Sequence, residues 1–151
     1  MIQRIQTVYL LLALLTTIIC LCLPIGSIAP KEMGVDVEVF NLFVTAGQGA
    51  VSFSVWPLFA LLLITCPLTI AAIMAYKKRR LQARICYWNI VFCLAWYAYY
   101  AFMVLDNFQQ MGAYRMAFAV CLPFVTIVLY VLAHRGIMKD EELIRSSERI
   151  R

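Results

Sequence analysis

The sequence predicts an all-α integral membrane protein. It is expected to form a four-transmembrane-helix bundle with a small outward β-hairpin between helices 1 and 2 and a short cytoplasmic C-terminal helix. The chain of 151 residues has a mean hydropathy of +0.86 and is only 14% charged, whereas soluble domains are about 25% charged. Its apolar residues form four long runs, and most of its basic residues lie to one side of those runs. We therefore expect one domain, residues 1–151.

Each apolar run is long enough to cross a membrane as a helix. About 20 residues rising ~1.5 Å each span a ~30 Å hydrocarbon core, and a helix satisfies its own backbone hydrogen bonds. The first run exceeds the core length of a signal peptide, so we expect it to be retained. Pro67 and Pro123 fall inside the second and fourth runs, where each removes one backbone donor and can kink its helix. The predicted spans are residues 5–24, 56–76, 85–105 and 116–133.

Basic residues predict the orientation of the spans. All lysines and arginines except Lys31 and Arg115 lie at the N-terminus, between spans two and three, or after span four. By the positive-inside rule, both termini are cytoplasmic and residues 25–55 and 106–115 face outward. The net charge of +5 then reflects membrane topology and contact with anionic lipid rather than nucleic-acid binding.

The longer outward segment has the pattern of β-structure. Residues 35–39 alternate valine with acidic residues, and a second β-rich run, residues 51–55, follows a glycine-containing turn. This pattern predicts a hairpin. The alternative is an amphipathic segment over residues 39–44 that lies in the membrane interface. In the shorter outward segment, Gly112 predicts a turn.

The sequence contains few of the patterns that catalysis, redox chemistry or metal binding require. No charged residue stands near the middle of a span, which argues against a proton-coupled transporter. The six cysteines lie in predicted spans without a C-x-x-C pair, and His134 has no metal-ligating partner at helical spacing. We therefore predict a non-enzymatic protein with no catalytic, cofactor or metal site.

Two polar or aromatic features inside the spans have alternative interpretations. The cluster Trp96, Tyr97, Tyr99 and Tyr100 is typical of side chains at a membrane interface. It could instead line a lipid, isoprenoid or quinone groove. Asn89 is expected to form an interhelical hydrogen bond, with ligand contact as the sharper alternative.

Three stretches carry a family resemblance: "MIQRIQTVYLLLA", "YKKRRLQARICYWN" and "HRGIMKDEELIRSSERIR". They resemble an uncharacterised four-span bacterial membrane protein family, domain of unknown function 4293, typical of Bacteroidetes. The resemblance extends over the whole chain and implies an inner-membrane protein with no assigned activity. Its positions lie near the predicted cytoplasmic face, where we predict an interaction surface. The residues of that surface are Arg4, Arg80, Gln82, Arg84, Asn89, Asp140, Glu141, Glu142, Arg145 and Arg149.

The C-terminal tail, residues 135–151, has opposite charges three or four positions apart. We expect a helix that lies along the membrane or docks on the loop at residues 77–84; a frayed tail is the alternative. The surface predicts an accessory or scaffold subunit whose partners are the bilayer and a membrane or cytoplasmic protein or a second copy. The alternative function is a small oligomeric transporter, channel, or lipid- or quinone-binding protein.

Overall fold

Four long helices dominate the computed structural model, which describes residues 2–30, 36–46, 50–108 and 112–148. The helices are α1 (Ile2–Cys22), α2 (Trp56–Met74), α3 (Arg79–Met103) and α4 (Leu122–Glu148). Each includes a stretch that is long and apolar enough to cross a membrane. The start of α1, the α2–α3 connection and the end of α4 lie together at one end of the bundle, here called the charged end. The opposite end carries a β-sheet and is called the sheet end.

The helix bounds agree with the predicted spans to within a few residues at α1 and α2, whereas α3 begins at Arg79, before the predicted start at residue 85, and α4 begins at Leu122, after the predicted start at residue 116. Residues 116–121 do not belong to that helix, because Met116 ends a strand and a 3₁₀ turn covers Phe118–Cys121. Pro123 is consequently the second residue of α4. A proline in the first helical turn gives up no intrahelical hydrogen bond, so a kink at Pro123 is not expected. Pro67 does lie inside α2.

The sheet end holds a five-stranded antiparallel sheet rather than the predicted two-stranded hairpin. The strands are β1 (Gly26–Pro30), β2 (Val37–Val39), β3 (Val44–Ala46), β4 (Ala50–Ser52) and β5 (Gly112–Met116), in the order β4-β3-β2-β1-β5. β2 pairs with β3 and not with the β4 region, while β1 pairs with both β2 and β5. The two outward segments therefore form one sheet. The predicted glycine turn at residues 47–49 lies outside the described residues.

Two local features explain this pairing. Between β2 and β3 the chain reverses in a turn closed by the Phe40 amide donating to the Phe43 carbonyl at 2.9 Å. The two phenyl rings pack with centroids 4.9 Å apart. Residues 39–44 therefore form a turn between two strands, and contact of this turn with the membrane interface stays a prediction. Gly112 begins β5 instead of forming a turn. A side chain at Gly112 would overlap the Ala29 carbonyl, so glycine permits the close pairing with β1.

The fourth helix is also longer than predicted, because it continues without interruption from Leu122 to Glu148. The tail is therefore a direct extension of α4 and not a separate short helix. Gly136 lies in the middle of α4 and packs against Gln6 of α1; a Cβ at this position would be 3.2 Å from the Gln6 Cγ atom. This close approach of α1 and α4 brings the tail against the rest of the bundle.

Candidate functional site

Three helices meet at Asp140 at the charged end. Asp140 lies on α4 and is buried. Its carboxylate accepts a hydrogen bond of 2.6 Å from the Gln6 amide nitrogen of α1, and its backbone carbonyl accepts one of 3.1 Å from the Arg79 guanidinium of α3. Breaking a buried hydrogen bond leaves a polar group unsatisfied, and this costs more free energy than the bond itself contributes. These two contacts therefore hold the tail in one orientation.

Next to this junction, an ion pair connects α3 and α4 at the protein surface. The Arg80 Nε atom is 2.5 Å from the Glu141 Oε1 atom. The Arg80 side chain is largely exposed, and ion pairs in contact with solvent contribute little to stability. The pair therefore connects α3 and α4 at the surface but contributes little to the stability of the fold.

The charged end remains strongly basic after this pairing. The described side chains there include seven basic and three acidic groups. Arg84 and Arg145 are exposed and face the same groove as Arg80 and Glu141. Among the residues that the structure describes, neither Arg84 nor Arg145 has an ion pair or a side-chain hydrogen bond. Among the described side chains, these two positive charges are unpaired.

The structure divides the predicted interaction surface into two groups. Arg80, Arg84, Glu142 and Arg145 are exposed and Glu141 is half-buried, so these residues form a surface. Gln82, Asn89 and Asp140 are buried and serve contacts inside the protein. The side chains of Arg4 and Arg149 lie outside the described part of the chain.

Asn89 belongs to a buried polar cluster between α2, α3 and α4. Its amide nitrogen donates to the Thr69 hydroxyl at 3.4 Å, and that hydroxyl is 2.5 Å from the Tyr130 hydroxyl. Thr69 donates in turn to the Thr65 carbonyl at 2.6 Å. The Asn89 Oδ1 atom has no hydrogen-bond partner among the described residues. The expected interhelical hydrogen bond of Asn89 is therefore present, whereas its Oδ1 acceptor is unpaired among the described residues.

The predicted aromatic groove has two of its rings inside the protein. Trp96 is fully buried and stacks on Tyr100 with ring centroids 5.2 Å apart. The Trp96 indole N–H donates to Asn41 Oδ1 at 3.0 Å, and the Tyr100 hydroxyl is 2.8 Å from that of Tyr114 in β5. These contacts join α3 to the sheet end. Burial also raises the pKa of the Tyr114 phenol above its ordinary value.

The other two rings of the cluster lie nearer the surface. Tyr97 is half-buried, and its hydroxyl donates to the Val120 carbonyl at 2.6 Å, next to the start of α4. Tyr99 is half-buried beside Phe102, with ring centroids 6.5 Å apart. A groove for lipid or quinone at this cluster stays a prediction, and Trp96 and Tyr100 are already occupied by partners within the chain.

Asn41 is a structurally important residue that our sequence analysis did not single out. It is buried, and its amide nitrogen donates to the Cys20 carbonyl at 2.7 Å. In a regular helix that carbonyl would accept from residue 24, but residue 24 is proline and has no N–H. The signal in the sequence was an asparagine enclosed by Phe40, Leu42 and Phe43.

The part of the chain that the structure describes contains no cluster of three metal-ligating side chains and no disulfide. No group of three or more histidine, cysteine, aspartate or glutamate side chains comes together there. All six cysteines are free thiols; Cys20, Cys86 and Cys93 are buried, Cys66 is half-buried, and Cys22 and Cys121 are exposed. The candidate site of this protein is therefore the basic surface at the charged end, where the described helices leave charges unpaired.

Comparison with known proteins gives one family match, which extends over nearly the whole chain. No curated protein matches this sequence. A family model described as "Domain of unknown function (DUF4293)" matches residues 2–150, which includes both the charged end and the sheet end. The chain therefore belongs to this family, as the three sequence motifs indicated.

Proposed function

We propose that this chain is a multi-pass protein of the bacterial cytoplasmic membrane whose N- and C-termini face the cytoplasm. In each of its four membrane-length segments, only 28–33% of the residues are buried inside the protein. The remaining apolar surface requires an apolar environment outside the chain. The basic side chains gather at the charged end, and the positive-inside rule assigns that end to the cytoplasm.

Single cysteines at the two ends test this orientation. Glu38 at the sheet end and Lys139 at the charged end are both exposed. With the native cysteines replaced by alanine, a membrane-impermeant maleimide should label Glu38→Cys in right-side-out vesicles and Lys139→Cys in inverted ones. The opposite pattern would contradict the orientation. Release of the chain from membranes by alkaline carbonate would contradict insertion.

The role that we propose is that of a non-enzymatic accessory or scaffold subunit. It would bind a protein partner through the exposed side of α4 at the charged end. The observation that supports this role is that α4 continues to Glu148 as one helix while Asp140 and Glu141 bond to its neighbours. Lys139 and Glu142 are thereby presented on an ordered surface. An ordered surface loses less conformational entropy on binding than a free tail does.

Exchanging two charges on this surface tests the role. The double variant Lys139→Glu and Glu142→Lys keeps the net charge and the three-residue spacing, and it leaves Asp140 and Glu141 intact. A photo-crosslinking residue at Arg135, which is exposed on the same helix, should capture a defined protein partner in native membranes. In the exchanged variant, capture of that partner should fall about tenfold or more, because charge complementarity selects the partner.

A matched exchange at the other end is the control. Glu38 and Arg115 both face Ser27 across neighbouring strands. The variant Glu38→Arg and Arg115→Glu therefore also preserves the net charge, and it should leave capture unchanged. Equal capture by the two exchanged variants, or no protein captured by the parent chain, would contradict the proposed role.

A further inference from the structure

A groove of about 680 Å³ lies between the start of α3 and the end of α4. Its lining includes three arginines, one acid and two neighbouring aromatic residues. They are Arg80, Arg84, Tyr87, Trp88, Glu141 and Arg145. The groove is separate from the Trp96 cluster, which lies at the sheet end of α3.

The charges in this groove do not cancel. Glu141 pairs with Arg80, whereas the guanidinium groups of Arg84 and Arg145 have no partner among the described residues. Both guanidinium groups are exposed and line the same groove, one from α3 and one from α4. The planar guanidinium binds phosphate oxygens in a two-point geometry that a lysine ammonium cannot reproduce.

The lining changes from charged to aromatic along the groove. α3 runs away from the charged end and α4 runs toward it, so Arg80 and Arg145 lie at the outer end. Tyr87 and Trp88 lie one to two turns deeper, next to His134, and their side chains are 59% and 56% exposed. Exposed tyrosine and tryptophan at this depth are typical of side chains that meet lipid at the membrane interface.

We propose that this groove binds the headgroup phosphate of an anionic phospholipid. Arg84 and Arg145 contact the phosphate oxygens, and Tyr87 and Trp88 pack against the glycerol and the first acyl carbons. An amphiphile fits because the lining becomes less polar with depth, and basic pockets between membrane helices on the cytoplasmic side are suited to such headgroups. An acidic protein segment would match the arginines but not the lipid-facing aromatic side chains. The inference rests on the membrane placement proposed above.

Native mass spectrometry tests the site. The purified full-length chain is released from micelles that contain equal amounts of phosphatidylglycerol and phosphatidylcholine. Wild-type protein should retain phosphatidylglycerol preferentially. The double variant Arg84→Gln and Arg145→Gln should bind it about 30-fold more weakly, since each basic group near an anionic lipid contributes a factor of roughly five.

The matched control removes two positive charges from the same end but outside the groove. Arg135 and Lys139 are exposed on α4 and line an adjoining cavity rather than this groove; the adjoining cavity shares Arg145 with the groove but contains neither Arg84 nor the two aromatic residues. The variant Arg135→Gln and Lys139→Gln should change phosphatidylglycerol retention less than about threefold. Equal losses in the two variants would overturn the proposal in favour of diffuse charge attraction. No lipid preference in the wild type would overturn it outright.

Two further arms identify the occupant. Inorganic phosphate added alone should displace little lipid, and Trp88→Ala should weaken phosphatidylglycerol binding, because the site also recognises the apolar part of the ligand. Full displacement by phosphate would identify a free-anion site and overturn the lipid assignment. A photo-crosslinker at Tyr87 should react with lipid; a protein crosslink at this position would overturn it as well.

These results are separable from failure of the proposed function. If the chain inserts into membranes and its groove variants retain lipid as wild type does, only the lipid site fails. If the chain is extracted by alkaline carbonate, the membrane placement itself fails. A changed circular dichroism spectrum or the loss of a single monodisperse species identifies any variant whose loss of lipid reflects misfolding. In that case Arg84→Lys provides a milder substitution. Its lipid binding should lie between that of the wild type and that of the double variant.

Discussion

Replacing Asn41 with leucine should destabilise the protein, although leucine has a similar volume and the site is buried. The substitution removes two hydrogen bonds at once, from the Trp96 indole at 3.0 Å and to the Cys20 carbonyl at 2.7 Å. The indole N–H can only donate and the carbonyl can only accept, so neither finds a new partner in an apolar site. Trp96 and Cys20 are both fully buried.

The magnitude follows from the two groups left without partners. Each buried, unsatisfied donor or acceptor costs about 1–3 kcal/mol, and burial of the leucine side chain offsets part of the sum. We expect Asn41→Leu to lower the free energy of unfolding by about 2–4 kcal/mol. Pro24 contributes to this value indirectly, because its missing N–H leaves the Cys20 carbonyl dependent on Asn41.

Equilibrium unfolding in mixed detergent micelles, followed by circular dichroism, measures this loss. The matched control is Asn107→Leu, since Asn107 is half-buried and its amide contacts only the Met103 sulfur, at 3.1 Å. The control should lose less than about 1 kcal/mol. Adding Trp96→Phe to Asn41→Leu should cost less than Trp96→Phe alone, because the shared bond is already absent. Equal losses at Asn41 and Asn107 would refute the reasoning.

Three further substitutions test packing in other parts of the fold by the same unfolding measurement. Asn89→Leu should be neutral or stabilising, because it removes a buried acceptor without a partner; a loss above about 1 kcal/mol would show that this acceptor has a ligand or an ordered water. Gly136→Leu should destabilise by about 1–3 kcal/mol, since the added side chain meets Gln6 at the α1–α4 contact, and an unchanged midpoint would contradict that close contact. Gly26→Ala should lower the free energy of unfolding by a similar amount, because a Cβ at this position overlaps the ring of Tyr114. Part of the stability should return when Tyr114→Ala is added. Additive losses in the double variant would argue against the overlap.

The sequence alone predicted the helices well for a physical reason. A run of about 20 apolar residues is sufficient by itself to predict a membrane-length helix, since the helix makes its own hydrogen bonds. The start of α4 was predicted at residue 116 instead of Leu122, because hydropathy does not distinguish an apolar strand and turn from the start of a helix. Residues 116–121 are apolar in either structure.

The pairing of the sheet could not be predicted from local patterns, although β2 and β4 overlap the two segments that the alternation of residues predicted as strands. β1 pairs with β5, and Gly26 faces Met116 across a large separation in sequence. The segment Gly26–Pro30 has no alternation of polar and apolar residues to mark it as a strand. Strand pairing at this distance depends on the helices that bring the two outward segments together.

Burial separates the predicted surface residues in the same way. The sequence places Arg84, Asn89 and Asp140 near one end of the chain's spans, and that grouping follows from charge and hydropathy alone. Which of them faces outward depends on helix rotation and on neighbours in other helices. Arg84 is exposed, whereas Asn89 contacts Thr69 and Asp140 contacts Gln6.

Composition and the order of residues along the chain therefore determined four membrane-length helices and a strongly basic end, because these properties are sums over local segments. Only the tertiary structure decided that Asn41 completes the end of α1, that Asp140 joins three helices, and that Arg84 and Arg145 share one groove. Each of those features requires side chains distant in sequence to meet within a few ångströms, and that proximity is set by packing between elements.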